Sequence, residues 1–136
     1  MERRDLGKTP ISENRPAGQE VREDGLFEGL SQEIEKMSSA TQSGTVDWRR
    51  VLQISEEILA NKSKDLLVLA YFSVAMLKTQ GLRGLADSVH VLRDALETYW
   101  EDMFPAKKRM RGRKNALDWW QEKVSFFLDG IAPEKW

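Results

Sequence analysis

The sequence predicts an all-α fold, a helical bundle of about five to six helices, mostly antiparallel, with an extended N-terminal arm. Three observations carry this. Apolar residues recur at spacings of three and four along most of residues 24–129, the period of helices that bury one face. Capping and stopping residues bracket those stretches, with Asp24, Asp47 and Ser63 or Asp65 ahead of them and Gly81, Pro105, Gly130 and Pro133 behind. No run of four to eight residues alternates strictly with β-branched enrichment, so no strand is expected.

Residues 1–23 hold Gly7, Pro10, Pro16 and Gly18 among scattered apolar side chains. Proline fixes its own φ and pushes the preceding residue out of the helical region, so Thr9 and Arg15 favour extended geometry. The arm is expected to touch the domain through Ile11 and Val21 and to leave its first several residues free. A first helix runs from Asp24 to about Met37, with Phe27, Leu30, Ile34 and Met37 on one face. The polar linker SSATQSGT follows. Asp47 opens a second helix to about Ala60, whose inward face is Trp48, Val51, Leu52, Ser55, Ile58 and Leu59. Ser63 or Asp65 starts a third, apolar nearly all round from Leu66 to Leu77, which marks the buried centre of the bundle.

Gly81 is expected to end that helix as a left-handed cap. A fourth helix extends from Leu82 or Leu85 to Met103 on the stripe Leu85, Val89, Leu92, Leu96 and Tyr99 or Trp100, and Pro105 closes it. After the basic connector KKRMRGRK a fifth runs from about Asn115 to Asp129, with Leu117, Trp120, Val124 and Phe127 or Leu128 inward. Residues 24–130 are thus read as one helical domain, and 131–136 as the start of a linker to a further C-terminal region.

Composition narrows the function classes. The 136 residues suit one domain with a real core. Balanced side chains, 21 basic and 22 acidic, leave a net charge of -1, so no global field draws the chain to nucleic acid or an anionic membrane. With no cysteine there are no disulfides, thiolate metal sites or cysteine nucleophiles. The lone histidine, His90, cannot build a histidine metal cluster. No apolar signal core follows the charges of the N-terminus, and the run Leu66 to Phe72 falls far short of the ~20 residues that span a bilayer. The expected location is cytoplasmic, with no direct membrane insertion by this chain and no cofactor.

Several residues invite a sharper chemistry. Six of the eight residues from Lys107 to Lys114 are basic, and such a run can hold phosphate backbones. A solvated loop facing Glu97, Glu101 and Asp102 explains it as well, and no aromatic residue lies within it. Glu56, Glu57, Asp94, Glu97, Glu101 and Asp102 read as helix surface rather than as a metal site, because bundle metal sites pair Glu with core His. Ser63 between Lys62 and Lys64 resembles an activated nucleophile, although capping is the simpler account. Trp119 and Trp120 are adjacent on one helix, so both cannot face the same core. One of them is expected at the surface, where tryptophan often anchors a partner.

The words of the sequence carry a resemblance. PISENRPAGQEVREDGLFEGLSQEIEKM is similar to the opening of the ImpA-related N-terminal domain family. The block from Val46 to Pro105 resembles that family's W-x-x-V, I-L-x-x-K-S-K-D-L, G-L-x-G-L-x-D, Y-W and closing proline, in order. NALDWW resembles its N-A-L-x-W-L, with Trp120 at the aliphatic position. In these words Ser63 and Asp65 are expected to satisfy the free amides of the third helix, Lys62 and Lys64 to project outward, and Gly81 and Gly84 to form a tight turn.

The resemblance implies a TssA-type assembly factor of the bacterial type VI secretion system, cytoplasmic and non-catalytic. It implies partners among the other secretion components (baseplate, sheath, tube or membrane-complex proteins) and ring formation by the full-length protein through a C-terminal region. The candidate partner-binding residues are Lys107, Lys108, Arg109, Arg111, Arg113 and Trp119, clustered charge beside an apolar anchor. The alternative is a small helical nucleic-acid-binding module using the 107–114 connector.

Overall fold

A computed structural model describes residues 2–38 and 45–131. Most of the expected Ser/Thr/Gly linker, the Pro133 stop and the 131–136 linker beyond Ile131 lie outside the described residues. Among the described residues four α-helices make the bundle: α1 (Gly25–Glu35), α2 (Trp48–Asn61), α3 (Leu66–Tyr99) and α4 (Met110–Asp129), with short 3-10 turns at Arg3–Asp5 and Lys107–Arg109. Consecutive helices pack on one another, α1 on α2, α2 on α3 and α3 on α4. The described residues contain no strand, only isolated bridges at Gly18–Ser63 and Asp65–Phe104.

The helix starts follow their caps. The Asp24 carboxylate accepts from the Leu26 amide at 2.8 Å, Asp47 from Arg50 at 3.1 Å, and Asp65 from Leu67 and Val68. Each satisfies amides that have no partner inside the helix. Ser63, the other candidate start, caps nothing: it is buried, and its hydroxyl meets no partner among the described residues.

The count is slightly lower than expected because the third and fourth predicted helices run together as α3. The break between them remains at Gly81, with φ 69° and ψ −152°. That conformation is open to glycine and costly for residues with a Cβ, so the chain changes direction there instead of stopping. Three residues later Gly84 is buried, and a Cβ built on it would press on the Met76 carbonyl. Gly84 is therefore a close-approach residue between the two halves of α3 rather than part of a turn.

Leu66 to Leu77 is the buried centre as expected, every residue enclosed except Leu67. The stripe on the later half of α3 differs from expectation. Gly84, Ser88, Val91, Leu92, Ala95 and Tyr99 face inward, whereas Val89 is exposed. Small residues occupy the inward positions nearest the break because the two halves approach too closely there for a branched side chain. Ser73 and Ser88 share a hydrogen bond of 2.7 Å, and the Trp120 indole donates to Ser73 at 2.8 Å. This buried set ties both halves of α3 to α4.

The N-terminal arm is anchored along the described part of its length. Leu6, Ala17 and Val21 are buried, and Ile11 is half-buried. The Gln19 amide donates to the Lys62 carbonyl and the Lys64 amide to that of Ala17, so the arm pairs with the link between α2 and α3. The first residues are held too, contrary to expectation. The Lys64 ammonium donates to the Leu6 carbonyl at 2.6 Å and to Leu59 at 2.8 Å, and the Tyr99 hydroxyl donates to the Lys8 carbonyl at 2.6 Å. Lys64 is fully buried, so only Lys62, ion-paired with Asp24 at 3.0 Å, projects outward.

Candidate docking surface

The basic run does not form a loop before the last helix. Its first three residues make the 3-10 turn Lys107–Arg109, and the remainder lies in the opening turns of α4, which starts at Met110 rather than near Asn115. A helix imposes its own period on such a run: each residue is turned by about 100° from the one before it, so cations one or two positions apart face different sides. The six basic residues therefore separate into groups with different environments.

Arg113 turns inward and is 1% exposed. Its guanidinium donates to the carbonyls of Trp100 at 2.7 Å, Pro105 at 2.9 Å and Met103 at 3.0 Å, and it stacks over the Trp100 ring at 4.6 Å. It thereby satisfies carbonyls at and just beyond the end of α3, where a cation also suits the helix dipole. Arg113 is therefore not part of the exposed cluster in which the sequence placed it: the Met103 and Pro105 carbonyls need a donor, and its long stem reaches them. Lys107 is exposed but spans to Glu101 at 2.9 Å, and Lys114 pairs with Asp118 at 2.7 Å one helical turn on. Lys108, Arg109 and Arg111 remain, exposed and without an ion pair among the described residues.

Arg109 and Arg111 form one rim of a cleft of about 510 Å³. Arg22 lies on its lining too, and Leu67, Pro105, Ala116 and Trp119 supply its apolar part. Arg22 is held in place by the buried Asp65 through bonds of 3.1 and 3.2 Å. Burial pushes the Asp65 carboxyl above its ordinary pKa, with the guanidinium and the cap amides working against that. Trp119 is half-buried, its ring edge-on to Tyr71 with centroids 4.8 Å apart. The tryptophan is thus held by packing within the fold. Sequence reasoning missed Arg22, one of four arginines in the segment read as arm and not distinguished from the others by any local pattern.

Elsewhere the candidate chemistry dissolves into structure. His90 reaches Asp94 at 3.1 Å on the half-exposed side of α3. Glu33 is buried and accepts from the Asp47 amide at 2.6 Å, which ties α1 to the start of α2. No group of three or more metal-ligating side chains gathers among the described residues, and no helix among them is long and apolar enough to cross a membrane. A second hollow of about 670 Å³, lined by Leu77, Leu82, Phe126, Phe127 and Ile131, lies where the end of α4 meets the break in α3.

A family model described as ImpA, N-terminal, type VI secretion system matches residues 8–122. The chain belongs to this family. Its sequence is 27% identical over 101 residues to the type VI secretion system component TssA1 of Pseudomonas aeruginosa, covering 70% of this chain and 29% of that protein. The chain thus spans less than a third of that relative's length. Its fold matches the N-terminal domain, including the conserved ImpA_N region, of the TssA component from Burkholderia cenocepacia, with a TM-score of 0.72 at 22% identity over 85% of this chain and 44% of the other. In this member of the ImpA N-terminal family the word KSKD has a structural reading: Lys62 pairs with Asp24, Lys64 holds the arm, and Asp65 caps α3 while fixing Arg22.

Proposed function

We propose that this chain is a docking domain of a TssA-type component, which holds another protein of a type VI secretion machine in position without catalysing a reaction. Family membership supports the machine. One observation supports docking: three cations left without partners among the described residues stand at and beside a cleft whose apolar wall, Trp119, is already fixed in place. Concave sites with an apolar lining and a few converging polar groups are where ligands and partners bind, and clustered charge adds encounter rate. The candidate residues of this reading are Lys108, Arg109, Arg111 and Trp119, with Lys107 at the margin and Arg113 serving the fold. A non-catalytic role fits a chain with no cysteine and one histidine paired at the surface.

In the same reading the protein acts in the bacterial cytoplasm, and ring formation in such components resides outside this domain. Light scattering on the chain at micromolar concentration is expected to give a monomer or a weak dimer; a stable high-order oligomer would count against that division. Docking itself is tested by capturing purified baseplate, sheath and membrane-complex proteins of one secretion system on immobilised chain. Arg109→Glu with Arg111→Glu is expected to weaken capture by tenfold or more at low salt, about 1.4 kcal/mol, with an unchanged circular dichroism spectrum. Equal capture by the folded variant would remove the cleft from the account.

A further inference from the structure

Arg109 and Arg111, on the α4 rim of this cleft, sit where they weaken the fold. The amino end of a helix carries partial positive charge and favours acidic side chains. In α4 the first turn holds no acidic residue, and Arg109 occupies the cap position without a side-chain hydrogen bond to the free amides. Arg113 escapes the conflict by turning to the carbonyls of Trp100 and Met103. Lys107 escapes it through Glu101. Lys108, Arg109 and Arg111 have no such relief among the described residues. A local rule broken with no gain inside the molecule is the mark of a site shaped for something outside it.

We infer that the cleft takes a linear acidic segment of the partner protein, one apolar side chain seated against Trp119, Leu67 and Ala116 with carboxylates on either side of it. This rests on the docking reading above and names its ligand. The carboxylates lie toward the α4 rim, because Arg22 on the other side is already engaged by Asp65. Only a narrow element fits: the cleft, at about 510 Å³, has room for a few side chains rather than a flat protein face. Nucleic acid fits less well. Three of the six cations of the run are consumed within the fold, and the lining beside the arginines is apolar rather than a continuous cationic track.

The inference predicts opposite effects on stability and on binding. Arg109→Gln with Arg111→Gln is expected to raise the melting temperature of the chain by about 1–4 °C and to weaken binding of a synthetic peptide, a Phe flanked by Asp and Glu, by at least tenfold. The measurement is amide and indole NMR titration of the chain, with that peptide, its Phe→Ser form, its Asn/Gln form and a short duplex DNA as probes. Shifts at Gly112, Ala116 and the Trp119 indole with the acidic Phe peptide, reduced with both control peptides and with the arginine variant, support the inference. It is overturned by equal shifts with the Phe→Ser peptide, by tighter binding of the DNA at these residues, or by no shift at millimolar peptide. If the Arg109→Glu/Arg111→Glu variant loses capture of the secretion component while the peptide leaves the cleft of the unaltered chain undisturbed, docking at the cleft stands and only the acidic linear ligand falls.

Discussion

Lys64 carries an ammonium group into a fully enclosed position with no carboxylate among the described residues to meet it. Two backbone carbonyls, of Leu6 and Leu59, receive it instead, and burial pulls its pKa down to about 8. The unfolded chain keeps that proton up to the ordinary value of 10.5. Below about pH 8 both states hold it and the burial cost is fully present; above that pH unfolding takes up a proton, so rising pH stabilises the fold. Stability is expected to climb by on the order of 1–3 kcal/mol between about pH 8 and pH 10, and Lys64→Met should abolish the climb in urea titrations. Above about pH 10 the Tyr71 hydroxyl, pushed up to about 12 by burial, works the other way, because the unfolded state loses its proton first. Arginines of one run divide similarly by what they touch. Arg113→Ala strands the carbonyls of Trp100, Met103 and Pro105 and is expected to cost about 2–4 kcal/mol. Arg111→Ala should change stability by about half a kcal/mol at most, so chemical denaturation separates the two roles directly. Little of this was readable in the sequence, where Lys62 and Lys64, or Arg111 and Arg113, differ only by two positions. Their environments are set by carbonyls supplied from residues 6, 59, 100, 103 and 105, and a local pattern contains no record of such acceptors.

The helices were legible where their signals are local. Asp24, Asp47 and Asp65 cap the elements they were expected to cap, and the apolar run from Leu66 supplies the buried helix, because capping and burial all round leave marks within a few residues. Boundaries that depend on tertiary contact were not. α4 begins at Met110 because the Arg113 contacts to the end of α3 favour helix there over the solvated loop the charges suggested. Val89 faces solvent and Ser88 the interior because the halves of α3 close on small residues. The break itself makes a prediction. Gly81 has open space around it but a positive φ, and Gly84 has ordinary helical geometry but no space beside Met76. Gly81→Ala is expected to cost about 1–3 kcal/mol through backbone strain. Gly84→Ala is expected to cost about as much through overpacking and to separate the halves. Only Gly84→Ala should disturb the Trp120 indole resonance, since the Ser73–Ser88 contact lies between those halves.

Across the whole molecule, the arm, α3 and the start of α4 form one connected support for the cleft. The arm pairs with the link that carries Lys64 and Asp65, Asp65 fixes Arg22, and the Leu66 amide next in sequence donates to the Phe104 carbonyl beside Pro105. Removing residues 1–9 takes away Leu6, one of the two carbonyl acceptors of Lys64, and the acceptor of Tyr99. It is expected to lower stability by about 2–4 kcal/mol and to speed amide exchange along Val91–Tyr99. In the proposed function a secretion partner docks where α4 begins. Hydrogen–deuterium exchange of the chain with and without a captured component reads that most directly. Docking at the cleft is expected to slow exchange in residues 107–119 and around Arg22 and to leave the far end of the bundle unchanged. Protection confined to residues 77–82 and 126–131, around the apolar hollow at that far end, would contradict it.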